Sequence, residues 1–365
     1  MQTAKAAVMP DFHQPLEVRS YPLPDEIEAG AALVRVEMAG ICGTDVHLWK
    51  GQLPIPRPII LGHETVGLIA RLGEGVERDW TGAPLAEGDR VTWSAGRLCG
   101  LCYNCSVLRQ PTRCLNRSAY GISFASDEPP HFSGGYAEYI YLRPGTAIFK
   151  LEDVSPEAVL GAGCALVTAI HGLERMQVGW GDKVVVQGSG PVGLAALAVA
   201  KSSGASETTV IGGPAERLEL AREFGAEHTI NIDEVPEPAA RLNQVMLLAG
   251  GRGADAVIEC VGIPTAVAEG LEMCRDGGKY LVLGHYGDAG TTPLNPHVIT
   301  RKQLTVYGSW ASEPRHMAAA IEFLRKQGER FPFDRLISHR FPLDQAFEAL
   351  QTTARWSSSK SVIVP

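Results

Sequence analysis

The sequence predicts an α/β protein in which a doubly wound parallel sheet is joined to a mainly β part. Three observations carry that expectation. From Ser155 onward, strand-like and helix-like runs alternate at the spacing of βαβ units. Before Ser155 the chain offers short β-like runs punctuated by Gly and Pro. At 365 residues it also exceeds one comfortable hydrophobic core, so two domains are expected.

Short strands come first. Residues 31–37 (AALVRVE), 65–71 (TVGLIAR) and 89–93 (DRVTW) are rich in β-branched and apolar residues and predict strands. Ser155-Pro156-Glu157 predicts a helix start: a capping hydroxyl, Pro where its missing N–H costs nothing, and an acid in the first turn. That helix should run to Met176. Strands are expected at 183–187, 207–211, 254–260 and 279–283, with helices between them at 192–203, 215–224 and 265–274. Residues 235–240 (VPEPAA) read as a Pro-rich turn. Further on, helices are expected at 317–326 and 343–352, and a short last strand at 361–364.

Composition narrows the function. A net charge of −8 and the lack of a basic stripe argue against a nucleic-acid partner. The sequence shows neither a basic-then-apolar leader nor an unbroken run of the roughly 20 apolar residues that span a bilayer. A cytoplasmic protein without a membrane partner is expected.

The eight cysteines point to metal, since a long chain without a leader seldom uses disulfides. Cys99-x2-Cys102-x2-Cys105-x8-Cys114 places four thiols on one loop. Four thiolates can close around a zinc ion and leave no position for substrate, so the expected role is to stiffen the loop. A second, dispersed set comprises Cys42 in GICGTDVH, His63 in GHE and Cys164 in GCALVT. Two thiolates and an imidazole leave a fourth position open for water or an alcohol. Asp45 is the candidate to orient His63 through its second ring nitrogen.

The run Gly188-Ser189-Gly190-Pro191-Val192-Gly193 lies between an expected strand and an expected helix. In that context it predicts dinucleotide binding. Its glycines allow the tight turn, the close approach of pyrophosphate and the helix packing, and the helix N-terminus attracts phosphate. An acid at the end of the second strand would hold the adenosine ribose of NAD; Gly212 stands there instead. A 2′-phosphate is then not repelled, yet no Lys or Arg follows at once. Arg217, one turn into the next helix, is the candidate for phosphate or adenine contact. NAD is expected, with NADP as the alternative.

The runs GICGTDVHLW, GHETVG, the four-cysteine loop and GSGPVG occur in that order, and the chain resembles the zinc-containing medium-chain dehydrogenase/reductase family over essentially its whole length. The resemblance implies a GroES-like catalytic domain, residues 1–160 completed by 305–365, around a Rossmann domain at 161–304. It implies two zinc ions per chain: a catalytic one on Cys42, His63 and Cys164, and a structural one on Cys99, Cys102, Cys105 and Cys114. The implied activity is reversible hydride transfer between an alcohol and NAD(P), giving an aldehyde or ketone. Glu64 matches the family's acid close to the catalytic zinc, Thr168 a threonine facing the nicotinamide, and Lys360 a basic residue at the pyrophosphate. The implied proton path runs from substrate through Thr44, the cofactor ribose and His47 to water. Polyol and threonine dehydrogenases of the family have Glu at the third ligand position, so Cys164 leans toward the alcohol dehydrogenases. A polyol- or threonine-type dehydrogenase is the alternative within the family, and a non-catalytic zinc-stabilised binding protein the alternative outside it. One departure is the eight-residue spacing before Cys114, where many relatives have seven; it alters the loop tip. The substrate cleft is expected between the domains, lined by Trp49, Leu53, Trp93, His285 and Trp310, and the strand at 304–307 is expected to pair across the interface of a homodimer or homotetramer. Cys260 and Cys274 are expected in the Rossmann core.

Overall fold

The computed structural model describes residues 2–355 and 359–365. The chain forms two units. One takes the residues up to Cys164 together with Ser312–Gly328 and Phe333–Pro365; the other takes Ala165–Ala311 and Glu329–Pro332.

The first unit is mainly β. Its central strand, Ala32–Ile41, pairs antiparallel with Glu64–Leu72 on one side and with the C-terminal strand Lys360–Val364 on the other. In this register Gly40 lies opposite Glu64, and Ser361 opposite Ile41. The ends of three strands therefore meet where Ile41 gives way to Cys42. Ile41, Ile60, Leu61, Val91, Tyr136 and Ile363 are all buried in the core beneath them.

The second unit is a six-stranded parallel sheet. Its order is His228–Asn231, Glu207–Gly212, Lys183–Gln187, Ala254–Glu259, Cys274–Val282, Thr305–Gly308. Val184, Val185, Val186, Val257, Ile258 and Leu281 are buried, as strands covered on both faces require. Pro191–Ser202 is the helix that follows the glycine turn.

Four expectations change. The stretch 235–240 is a turn only in part, because the helix Pro238–Leu248 opens on Pro238, whose missing N–H is harmless at the first helical position. Cys274 begins a strand and does not end a helix. The strand at 305–308 belongs to the parallel sheet, which therefore extends past residue 304. Finally, Pro156–Met176 is long and apolar enough to cross a membrane, yet 61% of its apolar window is buried inside the protein. It is a core helix, and its backbone breaks at Gly163.

Candidate active site

Cys42, His63, Glu64 and Cys164 converge on one point, with their ligand atoms all within 4.8 Å of one another. Each arrives by a different route. Cys42 leaves the central strand and caps the short helix Gly43–Trp49. Glu64 opens the neighbouring strand, and His63 immediately precedes it. Cys164 comes from the long helix at its break. There Gly163 takes φ 50°, a left-handed conformation that suits glycine, and a Cβ would lie 2.5 Å from Glu64 Oε1. The break turns the Cys164 N–H toward Glu64 Oε1, to which it donates at 2.7 Å.

Asp45 organises the cluster from beneath. It is fully buried. Its Oδ1 lies 3.3 Å from His63 Nδ1, and its Oδ2 accepts from the Cys42 N–H at 2.8 Å and from the Tyr136 hydroxyl at 3.0 Å. The other ring nitrogen of His63 is thereby left for the thiols. Burial pulls the His63 imidazole down, but Asp45 and Cys42 together more than offset this and raise it above the ordinary range.

The two thiols are in hydrogen-bond contact. Cys42 Sγ and Cys164 Sγ are 3.4 Å apart. Hydrogen bonding from Cys164 holds Cys42 well below the usual thiol range, and the same contact, with burial, raises Cys164. Glu64 pairs with Lys360, whose ammonium is buried against it. Burial alone would raise Glu64; the charges of Lys360 and His63 hold it at about 2. Lys360, expected at the pyrophosphate, also has its charge engaged by Glu64. The sequence missed this because only the register of the last strand puts Lys360 beside the cluster.

The relay candidates share the short helix. Thr44 is half-buried and His47 exposed, with His47 Nδ1 hydrogen-bonded to Gln52 Oε1. Three residues apart, they lie on neighbouring helix positions.

The four-cysteine loop is also assembled. Cys102 Sγ lies 3.4 Å from Cys105 Sγ and 3.9 Å from Cys114 Sγ, and Cys114 Sγ lies 3.5 Å from Cys99 Sγ. Sulfurs bound tetrahedrally to zinc at about 2.3 Å sit about 3.8 Å apart, so the donor set fits that ion. The backbone N–H groups of Leu101 and Cys102 hold Cys99 down to about 6, which favours the thiolate that metal needs.

In the second unit the glycine turn is explained position by position. Gly188 takes φ 113°. A Cβ on Gly193 would lie 1.9 Å from the Gly188 carbonyl oxygen, whereas one on Gly190 would meet nothing within 4 Å. Gly193 is therefore required for packing, and Gly190 leaves open space for an approaching phosphate. Gly190, Pro191 and Val192 form the first turn of the helix. At Gly212 a Cβ would come within 2.4 Å of Ser189 Oγ, so an acid does not fit there without rearrangement. Ser189 Oγ also donates to the Gly213 carbonyl oxygen at 3.1 Å. Burial lowers the Arg217 guanidinium, which is half-buried on the next helix. Thr168 is half-buried on the long helix.

The expected cleft residues divide. Trp93 is core, with 3% of its surface exposed, and Trp49 and Leu53 pack against that core. Trp310 stacks on Tyr286, their rings 5.9 Å apart. His285 Nε2 lies 3.8 Å from Glu259 Oε2. Cys274 is buried and Cys260 half-buried.

Comparison with known proteins agrees with this geometry. Residues 28–153 match the alcohol dehydrogenase GroES-like domain, and residues 191–326 the zinc-binding dehydrogenase model. The chain is 39% identical to 5-exo-hydroxycamphor dehydrogenase of Pseudomonas putida over 100% of its own length and 99% of that protein's. An alcohol dehydrogenase from Thermotoga maritima superposes with a TM-score of 0.95 at 35% identity, covering all of both chains. A zinc-binding dehydrogenase from Sinorhizobium meliloti 1021 bound to NADP gives 0.86 at 28% identity, again covering all of both chains.

Proposed function

The chain belongs to the zinc-containing alcohol dehydrogenases of the medium-chain dehydrogenase/reductase family, and from that premise we propose that it interconverts a bulky secondary alcohol and its ketone with NAD. Its reaction class is zinc-dependent, NAD(P)-dependent dehydrogenation of a small-molecule alcohol. The observation that carries the reading is the convergence of Cys42, His63 and Cys164, braced by Asp45.

When bound, zinc supplies Lewis acidity that lowers an alcohol's pKa, and the nicotinamide supplies the hydride acceptor. The chain's own residues do the rest. Asp45 fixes the His63 tautomer by taking Nδ1. Cys42 and Cys164 supply the negative charge that holds the metal. Thr44 passes the substrate proton outward, and His47 releases it to water. Gln52 holds His47 through Nδ1, which leaves Nε2 to accept.

The substrate class rests on the Pseudomonas relative, whose named substrate carries its hydroxyl on a ring carbon. The preference for NAD rests on residues 212–216, which contain no cation to meet a 2′-phosphate. A homodimer is part of the same proposal: Thr305–Gly308 is the last strand of its sheet, with Val306 45% exposed. So is a cytoplasmic location, since none of the eight cysteines is in a disulfide.

Paired NADH and NADPH assays on cyclic ketones, linear ketones and aldehydes test this. Higher kcat/KM for cyclic ketones with NADH is expected. Preference for NADPH, or for aldehydes, overturns the corresponding part.

A further inference from the structure

The four-cysteine loop closes on a two-stranded stem, in which Gly96–Arg97 pairs antiparallel with Ser118–Ala119. Three arginines gather at this stem. Arg97 donates through Nη1 to Ser118 Oγ at 3.3 Å and through Nη2 to the Pro144 carbonyl oxygen at 2.7 Å. Its Nε is enclosed and has no acceptor. Arg143 precedes Pro144, and its guanidinium lies over the Phe124 ring, 4.5 Å from the centroid. Arg143 Nε is likewise enclosed without an acceptor. Among the described residues, the Arg143 guanidinium makes no hydrogen bond, and neither Arg97 nor Arg143 forms an ion pair. Arg117 adds a third charge beside Gly96, where a Cβ would come within 3.1 Å of Arg117 Nη2.

One hydroxyl locates the group. Tyr120 OH accepts from the Arg143 backbone N–H at 2.7 Å and bonds Thr146 Oγ1 at 2.6 Å. The Phe124 ring under the Arg143 guanidinium lies 6.3 Å from the Tyr120 ring, and Arg97 reaches the Pro144 carbonyl next to Arg143. Burial raises the Tyr120 phenol, and the charges of both arginines pull against it. All three arginines are half-buried. Like charges held together in a partly desolvated place repel. Enclosed donors without acceptors add a further cost. An oxyanion removes both penalties, because guanidinium forks match its oxygens in pairs.

We propose that Arg97 and Arg143, with Arg117 beside them, form an oxyanion site that takes a phosphate-type group at the stem of the four-cysteine loop. The anion bridges the stem, through Arg97, to the Arg143–Thr146 turn outside the loop. The loop is then held at its cysteines by metal and at its base by the anion. The source is free phosphate or the phosphate end of a small organic molecule.

The test uses zinc-loaded protein, titrated calorimetrically with inorganic phosphate at constant ionic strength balanced with chloride. Saturable binding is expected in the wild type, weakened about tenfold or more in Arg143→Ala and in Arg97→Gln. Arg143→Lys, which keeps the charge and loses the fork, should recover only part of the affinity. Glycerol phosphate in a parallel titration separates the two sources: tighter binding than inorganic phosphate identifies a phosphate ester, weaker binding identifies the free ion. If the wild type gives no saturable phosphate binding, or Arg143→Ala binds phosphate as the wild type does, the site does not exist. Should Arg97→Gln fail to fold, Arg143→Ala alone decides.

Discussion

The dispersed cluster draws its donors from residues 42, 63, 64 and 164, whereas the cysteine loop draws all four from residues 99–114. Their surroundings differ as much as their origins. His63 and Asp45 expose 7% and 0% of their side chains, and Glu64 and Lys360 3% and 5%. Around the loop, Leu101 is 86% exposed and Leu115 70%. The loop's thiols take hydrogen bonds from the N–H groups of their own loop: Leu101 and Cys102 to Cys99, and Leu115 to Cys102. The dispersed cluster leans on partners up to 296 residues away. The loop is thus a self-contained metal clip, while the buried cluster depends on the whole first unit being folded. That dependence gives it what chemistry needs: fixed positions in a place with little water.

Four variants sharpen or break this contrast. The largest effect is expected from Cys42→Ser, which should abolish turnover while circular dichroism and loop zinc stay as in the wild type. Cys105→Ser should do the reverse, losing the loop zinc while the buried site keeps its own. Equal loss of both zincs in both variants, read by metal analysis, would mean the clusters are one cooperative unit.

Next comes Lys360→Met. It leaves the Glu64 charge buried without its partner, and breaking a buried pair costs about 3–5 kcal/mol. Urea unfolding of the first unit should report it, with the loop zinc retained. A change under about 1 kcal/mol, the size expected of a surface pair, would show that the pair is open to solvent.

The smallest effect belongs to Asp45→Asn. The amide keeps the shape but offers one acceptor to three donors: His63, Cys42 and Tyr136. Zinc affinity at the buried site, or kcat, should fall about 10–100-fold, the usual cost of losing a ligand's orienting partner. Competitive chelation, run separately for the two metals, would contradict the contrast if the loop zinc weakened equally.

Legibility followed chain separation. The strand at 183–187, the helix after the glycine turn and the four-cysteine set are local patterns, and the structure keeps all three. The helix at Pro238 was hidden because Pro-rich runs signal turns as strongly as helix starts. Trp93 read as a cleft residue because bulk and apolarity do not tell a binding wall from a core.

By itself the sequence determined the α/β class, the dinucleotide turn and the four-cysteine set, because residue type and short spacing are enough to write them. The dispersed set of Cys42, His63 and Cys164 is legible through the family resemblance of its flanking runs. Only the tertiary structure decided that Gly163 breaks a helix so that the Cys164 N–H meets Glu64. It alone brought the C-terminal strand against Ile41 and so set Lys360 against Glu64. Strand register is set by the packing of a whole sheet, and no local pattern around residue 360 carries it.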